Sequence, residues 1–171
     1  MKEIEAKLRI SSVEETRSAI LKLGAQFIKK SHQVDHYLSH PFRDFASTDE
    51  ALRLRIDGTR YYVTYKGPKE TSSVKKRLEY ECEVYDPDVM GKIFSNLGFK
   101  ITADIQKERE VYRFGHYEIN IDVVLGLGSF IEVEWRGDEI PDEKELISMA
   151  NRLGAVGPPI LKSYLEMSLQ G

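Results

Sequence analysis

Acidic and basic side chains recur at every second position in several short stretches of this chain. EIEAKLRI places Glu3, Glu5, Lys7 and Arg9 in one phase and Ile4, Ala6, Leu8 and Ile10 in the other. ALRLRI sets Arg53 and Arg55 against Leu52, Leu54 and Ile56. RLEYECEV sets Arg77, Glu79, Glu81 and Glu83 against Leu78, Tyr80, Cys82 and Val84. SFIEVEWR does the same with Glu132, Glu134 and Arg136, while Lys107 shares a phase with Arg109 and Asp122 alternates with Ile121 and Val123. Carboxylates hold hard cations such as Mg²⁺, and Lys and Arg take phosphate oxygens, so the set suits a polyanion carried with divalent metal.

The period of two is that of β-strands with one apolar and one charged face. On any single strand the charged face is also what a solvated sheet surface looks like. The repetition, with few Thr, Ser, Gln or Asn in the charged phases, favours another arrangement. If the sheet closes into a barrel and the apolar phases pack under helices, the charged phases face the lumen. Charges there are costly unless matched by opposite charges, metal ions or a charged ligand.

The elements that must position these residues follow from local signals. Strands are expected near 3–10, 25–40, 51–56, 61–66, 77–85, 101–113, 117–124 and 129–136, with a hairpin at Asp57-Gly58 and a turn at Gly126-Leu-Gly128. Helices are expected from Ser11 or Ser12 to Leu23, from Pro87 to Leu97 and from Asp142 to Leu153. The stretch 67–76 reads as a polar, basic loop: a solvated connection, or a flap whose Lys69, Lys75 and Lys76 close on phosphates. The tail after Gly154 carries no clear period. This is an α+β pattern with a largely antiparallel sheet, in one domain over residues 1–171.

Bulk properties narrow the function. A net charge of -3 and a pI near 5.9 argue against a general nucleic-acid binder. No window is apolar for the ~18 residues of a membrane span, and no signal-peptide core opens the chain. The single Cys82 excludes an internal disulfide framework, falls in an apolar phase and is expected to be a buried thiol. A cytoplasmic protein follows. His32, His36 and His40 recur every fourth residue, but oxygen ligands suit the expected cation better than imidazole.

In chain order the charged stretches resemble a known family. Glu3-x-Glu5-x-Lys7 is similar to the ExExK signature of the CYTH superfamily, the triphosphate tunnel enzymes. The likeness continues through Asp35-x-Tyr37, Arg53-Leu-Arg55, Lys66-Gly67, Arg77-x-Glu79-x-Glu81, Lys107-x-Arg109, Asp122, Glu132-x-Glu134 and Lys162-Ser-Tyr164. HPFRDFASTDEALRLR most resembles the class IV adenylyl cyclase (CyaB-type) branch. The resemblance implies a closed eight-stranded antiparallel barrel with amphipathic helices outside, a bound triphosphate such as ATP, and Mg²⁺ or Mn²⁺. It matches Lys7, Arg53, Arg55, Lys66, Lys107 and Arg109 to phosphate binding. It matches Glu3, Glu5, Asp122, Glu132 and Glu134 to the metal-binding acids. Arg77, Glu79, Glu81 and Lys162 would join the tunnel as a charge network. Three activities stay open: cyclisation of ATP to 3′,5′-cyclic AMP and pyrophosphate, hydrolysis of tripolyphosphate, thiamine triphosphate or a nucleotide, and binding without turnover. A homodimer is implied by the likeness alone.

Overall fold

A computed structural model describes residues 2–139 and 141–170. Eight strands form the body: β1 Lys2–Ile10, β2 Gln26–Ser39, β3 Ala51–Asp57, β4 Arg60–Lys69, β5 Lys75–Val84, β6 Lys100–Phe114, β7 Tyr117–Val124 and β8 Gly128–Trp135. All neighbours run antiparallel in the order β5-β4-β3-β2-β6-β7-β8-β1, and β1 pairs with β5 to close the barrel. The pair β3 and β4 turns at Gly58, whose φ of 62° is the left-handed conformation that a tight hairpin asks of glycine.

Helix α1 (Val13–Lys22) starts at Ser12, whose hydroxyl accepts from the Glu15 amide, and α3 (Glu143–Arg152) starts at Asp142, which accepts from Lys144. Together they bury the apolar phase of the strands they cover. Ile4, Ala6, Leu8, Ile119, Ile121, Ile131 and Val133 pack with Ile20, Leu146 and Ala150 in one core. Each fully buried Leu or Ile there contributes about 1.5–3 kcal/mol. Helix α2 (Pro87–Asn96), capped by Asp86, sets Met90 and Phe94 against Leu38, Leu52 and Leu54.

Three expectations change. Strand β4 runs to Lys69 and β5 begins at Lys75, so the connection between them is five residues and not a long flap. Cys82 is exposed, and so are Leu78 and Tyr80 beside it: among the described residues no helix packs substantially on the outer face of β5. The tail is ordered: β9 (Ala155–Val156) pairs with β1, and α4 (Tyr164–Ser168) carries a Ser163–Glu166 capping box. Among the described residues no helix is long and apolar enough to cross a membrane.

Candidate functional site

The charged phases meet inside the barrel. Glu3, Glu5, Lys7, Asp35, Arg53, Lys66, Arg77, Lys107, Asp122, Glu132 and Glu134 are all buried, and a cavity of about 650 Å³ runs between them. Antiparallel register sets them in pairs: Glu5 opposite Glu134, Lys7 opposite Glu132 and Arg109 opposite Asp122.

The lumen is a cup. Along the same inward phase, the end beyond Lys7 turns apolar: Tyr37, Ile105, Val124 and Phe130 form a small core with Tyr164 from α4. The tail is tied to β1 by the Ile160 amide on the Lys7 carbonyl (2.8 Å) and by Lys7 Nζ on the Lys162 carbonyl (3.2 Å). Lys7 Nζ also stands 4.1 Å from the centre of the Tyr164 ring, whose hydroxyl donates to Asp122 (2.9 Å). The opposite end of the cavity carries Ile28, Lys29, Tyr62, Arg113 and Arg136, all at least partly exposed, and is the open mouth.

Two electrostatic halves share the lumen. On one wall Asp35 accepts two bonds from Arg55 (2.6 and 2.7 Å) and one from Lys107 (3.2 Å), with Arg53 at 3.8 Å. Burial opposes ionisation of Asp35, but Arg55, Lys107 and Arg53 outweigh it and hold its pKa well below the usual range. Burial, reinforced by Arg55, pulls the Lys107 ammonium down to about 7. This wall is short of negative charge.

On the other wall Glu3, Glu5, Glu132 and Glu134 crowd together. Lys75 bonds Glu5 (2.6 Å), Lys66 bonds Glu3 (3.0 Å), and Arg109 contacts both Asp122 and Glu132. Burial and the neighbouring Glu132 raise the Glu5 pKa; burial, with Glu3 and Glu5, raises that of Glu134 well above the usual range. Glu3 Oε2 is buried without a hydrogen bond. Crowded carboxylates of this kind, one oxygen unsatisfied, fit a hard divalent cation in their chemistry. Among the described residues, no three of them converge as a ready-made ligand set, so the fit is one of donor type.

All six expected phosphate-binding bases and all five expected metal-binding acids line or border this lumen. The expected network divides. Glu79 contacts Lys66 and Glu81 takes Arg53 (3.1 Å), whereas Arg77 donates to the Gly67 and Asp49 carbonyls and braces the backbone. The Lys162 side chain points away, to Gln170, and only its carbonyl reaches the site.

Three further residues belong here. Lys75, expected on a loop, is a buried lumen base in phase with Arg77, a phase readable in KKRLEYECEV. Asp35 is the hub of the cationic wall, and Tyr164 builds the floor from a tail without periodicity. Lys69 is no flap: it contacts Asp49 and Glu166 (3.1 Å) and latches α4 in place. His32 and His36 sit outside, paired with Glu108 (2.7 Å) and Asp104 (2.6 Å).

Comparison with known proteins follows the same lines. Residues 1–154 match the CYTH domain family. A Methanocaldococcus jannaschii protein, whose name is a provisional adenylate cyclase assignment, is 41% identical over 172 residues, 98% of each chain. A solved Pyrococcus horikoshii structure shares 34% identity over 98% of both chains, with a TM-score of 0.87. A Hippeastrum structure, of a provisional adenylyl cyclase described as having a dominant triphosphatase activity, covers 98% of this chain and 95% of its own at a TM-score of 0.74. Its identity of 20% carries the likeness of fold alone.

Proposed function

The chain belongs to the CYTH family, and on that premise we propose that it is a divalent-metal-dependent enzyme that binds a triphosphate in the lumen and converts ATP to 3′,5′-cyclic AMP and pyrophosphate. The observation that carries this reading is the convergence of seven buried or part-buried bases (Lys7, Arg53, Arg55, Lys66, Lys75, Lys107 and Arg109) on a cup that also holds a crowded carboxylate wall. The name of the 41% identical relative supports the cyclase direction.

In this reading the bases hold the β- and γ-phosphate oxygens. The ribose 3′-oxygen attacks the α-phosphorus as its proton passes to solvent. The new O3′–P bond forms while the bridge to the β-phosphate breaks, and the cationic wall stabilises the departing pyrophosphate. Glu3, Glu5, Glu132 and Glu134, with Asp122, would hold Mg²⁺ or Mn²⁺, which neutralises phosphate charge and acidifies the attacking hydroxyl. The floor of Tyr37, Phe130 and Tyr164 shuts bulk water out of that end of the site.

Hydrolysis of a terminal phosphate is the second reading, since the same bases and carboxylates would serve a water attacking the terminal phosphorus. The discriminating experiment offers purified protein ATP, other nucleoside triphosphates, tripolyphosphate and thiamine triphosphate, each with Mg²⁺ or Mn²⁺, and identifies the products. Cyclic AMP with pyrophosphate is expected from ATP. Inorganic phosphate with ADP and no cyclic AMP from ATP, or with pyrophosphate from tripolyphosphate and thiamine diphosphate from thiamine triphosphate, establishes hydrolysis, and calorimetric binding without turnover establishes a binding module. Lys7→Ala and Arg53→Ala variants that keep both binding and turnover would refute the lumen as the site.

A further inference from the structure

Helix α2 buries none of its residues fully, whereas α1 buries Ile20 and α3 buries Leu146, Met149 and Ala150. Met90 and Phe94 seat α2 on a thin core in which, among the described residues, only Leu38, Leu52 and Leu54 are buried. On the flank beside that seat, Val89, Ile93 and the C-cap residue Leu97 recur every fourth position and so form one row along the helix. They are 49%, 46% and 62% exposed. Tyr85, four residues before Val89, and Ile101, four residues after Leu97, are exposed as well. Pro41 Cβ lies 3.2 Å from where a Cβ on Gly98 would stand, which brings the nearly bare Phe42 beside the end of the helix.

These six side chains leave roughly 800 Å² open to water, more than the ~300–600 Å² of the largest patch on a typical monomer and about what one partner brings to a standard interface. The order of charges says what covers it. Asp86 and Asp88 stand at the N-terminus of α2, while Lys92 and Lys100 lie toward and beyond its C-terminus, all exposed. Ile93 is midway in the chain between Val89 and Leu97, and also between Asp86 and Lys100. A second α2 laid antiparallel across a two-fold axis at Ile93 therefore sets Val89 against Leu97 and Asp86 toward Lys100, twice over. The two helix dipoles then run in opposite directions, which is the favourable sense. A row that matches its own reverse is what a contact between identical copies requires.

We propose that this flank of α2 is covered by the same flank of a second copy of the chain, across a two-fold axis at Ile93. The homodimer that the family likeness implies thereby gains a specific face. The contact stands or falls separately from the triphosphate reading, since none of its residues lines the lumen.

The test weighs the full chain in solution by sedimentation equilibrium. Wild type is expected at twice the 19.7 kDa chain mass at micromolar concentration. Ile93→Lys sets two ammonium groups against each other on the axis, and Leu97→Lys brings an unpaired charge into each half of the contact. Each is expected to raise the dimer dissociation constant at least about 100-fold. A circular dichroism spectrum unchanged from wild type separates loss of the contact from misfolding, and two variants guard against one that does not fold. In a Cys82→Ser background, Ile93→Cys is expected to oxidise to a disulfide-linked dimer, because a residue on the axis meets its own copy. Leu21→Cys, exposed on α1, is expected not to. A dimer that survives both lysine variants, or cross-linking at Leu21 as ready as at Ile93, overturns the proposal. So does a monomeric wild type, which would leave the face to a different protein.

Discussion

Asp35→Asn is the sharpest perturbation of the cationic wall. The carboxylate is 1% exposed and meets Arg55 twice, Lys107 once and Arg53 at 3.8 Å. Removing one member of a buried ion pair costs about 3–5 kcal/mol because the partners stay buried and uncompensated. Lys107, with its pKa already near 7, sheds its proton cheaply, so the two arginines carry the cost. That places the loss near ~3 kcal/mol, or roughly 6–12 °C of melting temperature for a chain of this size. Tripolyphosphate, supplying the missing negative charge, should then stabilise the variant more than it does wild type, where ~100-fold saturation adds about 2.7 kcal/mol. Differential scanning calorimetry with and without ligand reads both numbers. The sign of the pH dependence is fixed as well. A depressed carboxyl pKa contributes stability above its unfolded value of 3.8, and wild type loses it as pH falls below that. The variant lacks this dependence. A melting loss under about 1 kcal/mol, or a ligand shift no larger than in wild type, would refute Asp35 as the counter-charge that phosphate replaces.

The carboxylate wall predicts the opposite sign. Glu134 has a raised folded pKa, so its contribution is present below the unfolded value of 4.5 and is lost as pH rises. Metal-free Glu134→Gln should melt above wild type at about pH 8, converge with it near about pH 4, and gain less from Mg²⁺; a variant melting lower at pH 8 contradicts this. Lys75→Met should weaken tripolyphosphate binding at least about tenfold, as Lys7→Ala should, and an unaffected constant would place Lys75 outside the phosphate site. Cys82 should react with a water-soluble thiol reagent in the native protein at close to its unfolded rate; protection by orders of magnitude would mean that its strand face is covered.

Alternation made most of the barrel legible. The phases of EIEAKLRI, ALRLRI and FIEVEWR assign inward and outward side chains as the structure does, because a strand in a closed sheet leaves no third option. Lys75 escaped because GPKETSSVKK has the composition of a loop, although Lys75 continues the inward phase of Arg77 by one step. Cys82 misled for a different reason. An apolar phase shows which way a side chain points but not whether anything covers it, and the helices of about three turns lie over other strands. Tyr164 entered only through the family likeness of Lys162-Ser-Tyr164 and not through any period in the tail, since its place as the floor depends on that tail meeting β1 across the whole chain.

That long-range meeting bears on how the protein is made. Inserting β1 forms the Lys75–Glu5 bond across 70 residues and the Lys7–Lys162 bond across 155. Contacts so distant must repay a large loop-closure entropy, which places closure among the slow, late events of folding, on the scale of milliseconds to seconds. Until then β5 and β8 have bare edges that invite pairing between chains. The same event gathers Glu3, Glu5 and Lys7 with their partners, so ligand-binding competence should return only with the slowest refolding phase, well after most secondary structure has formed.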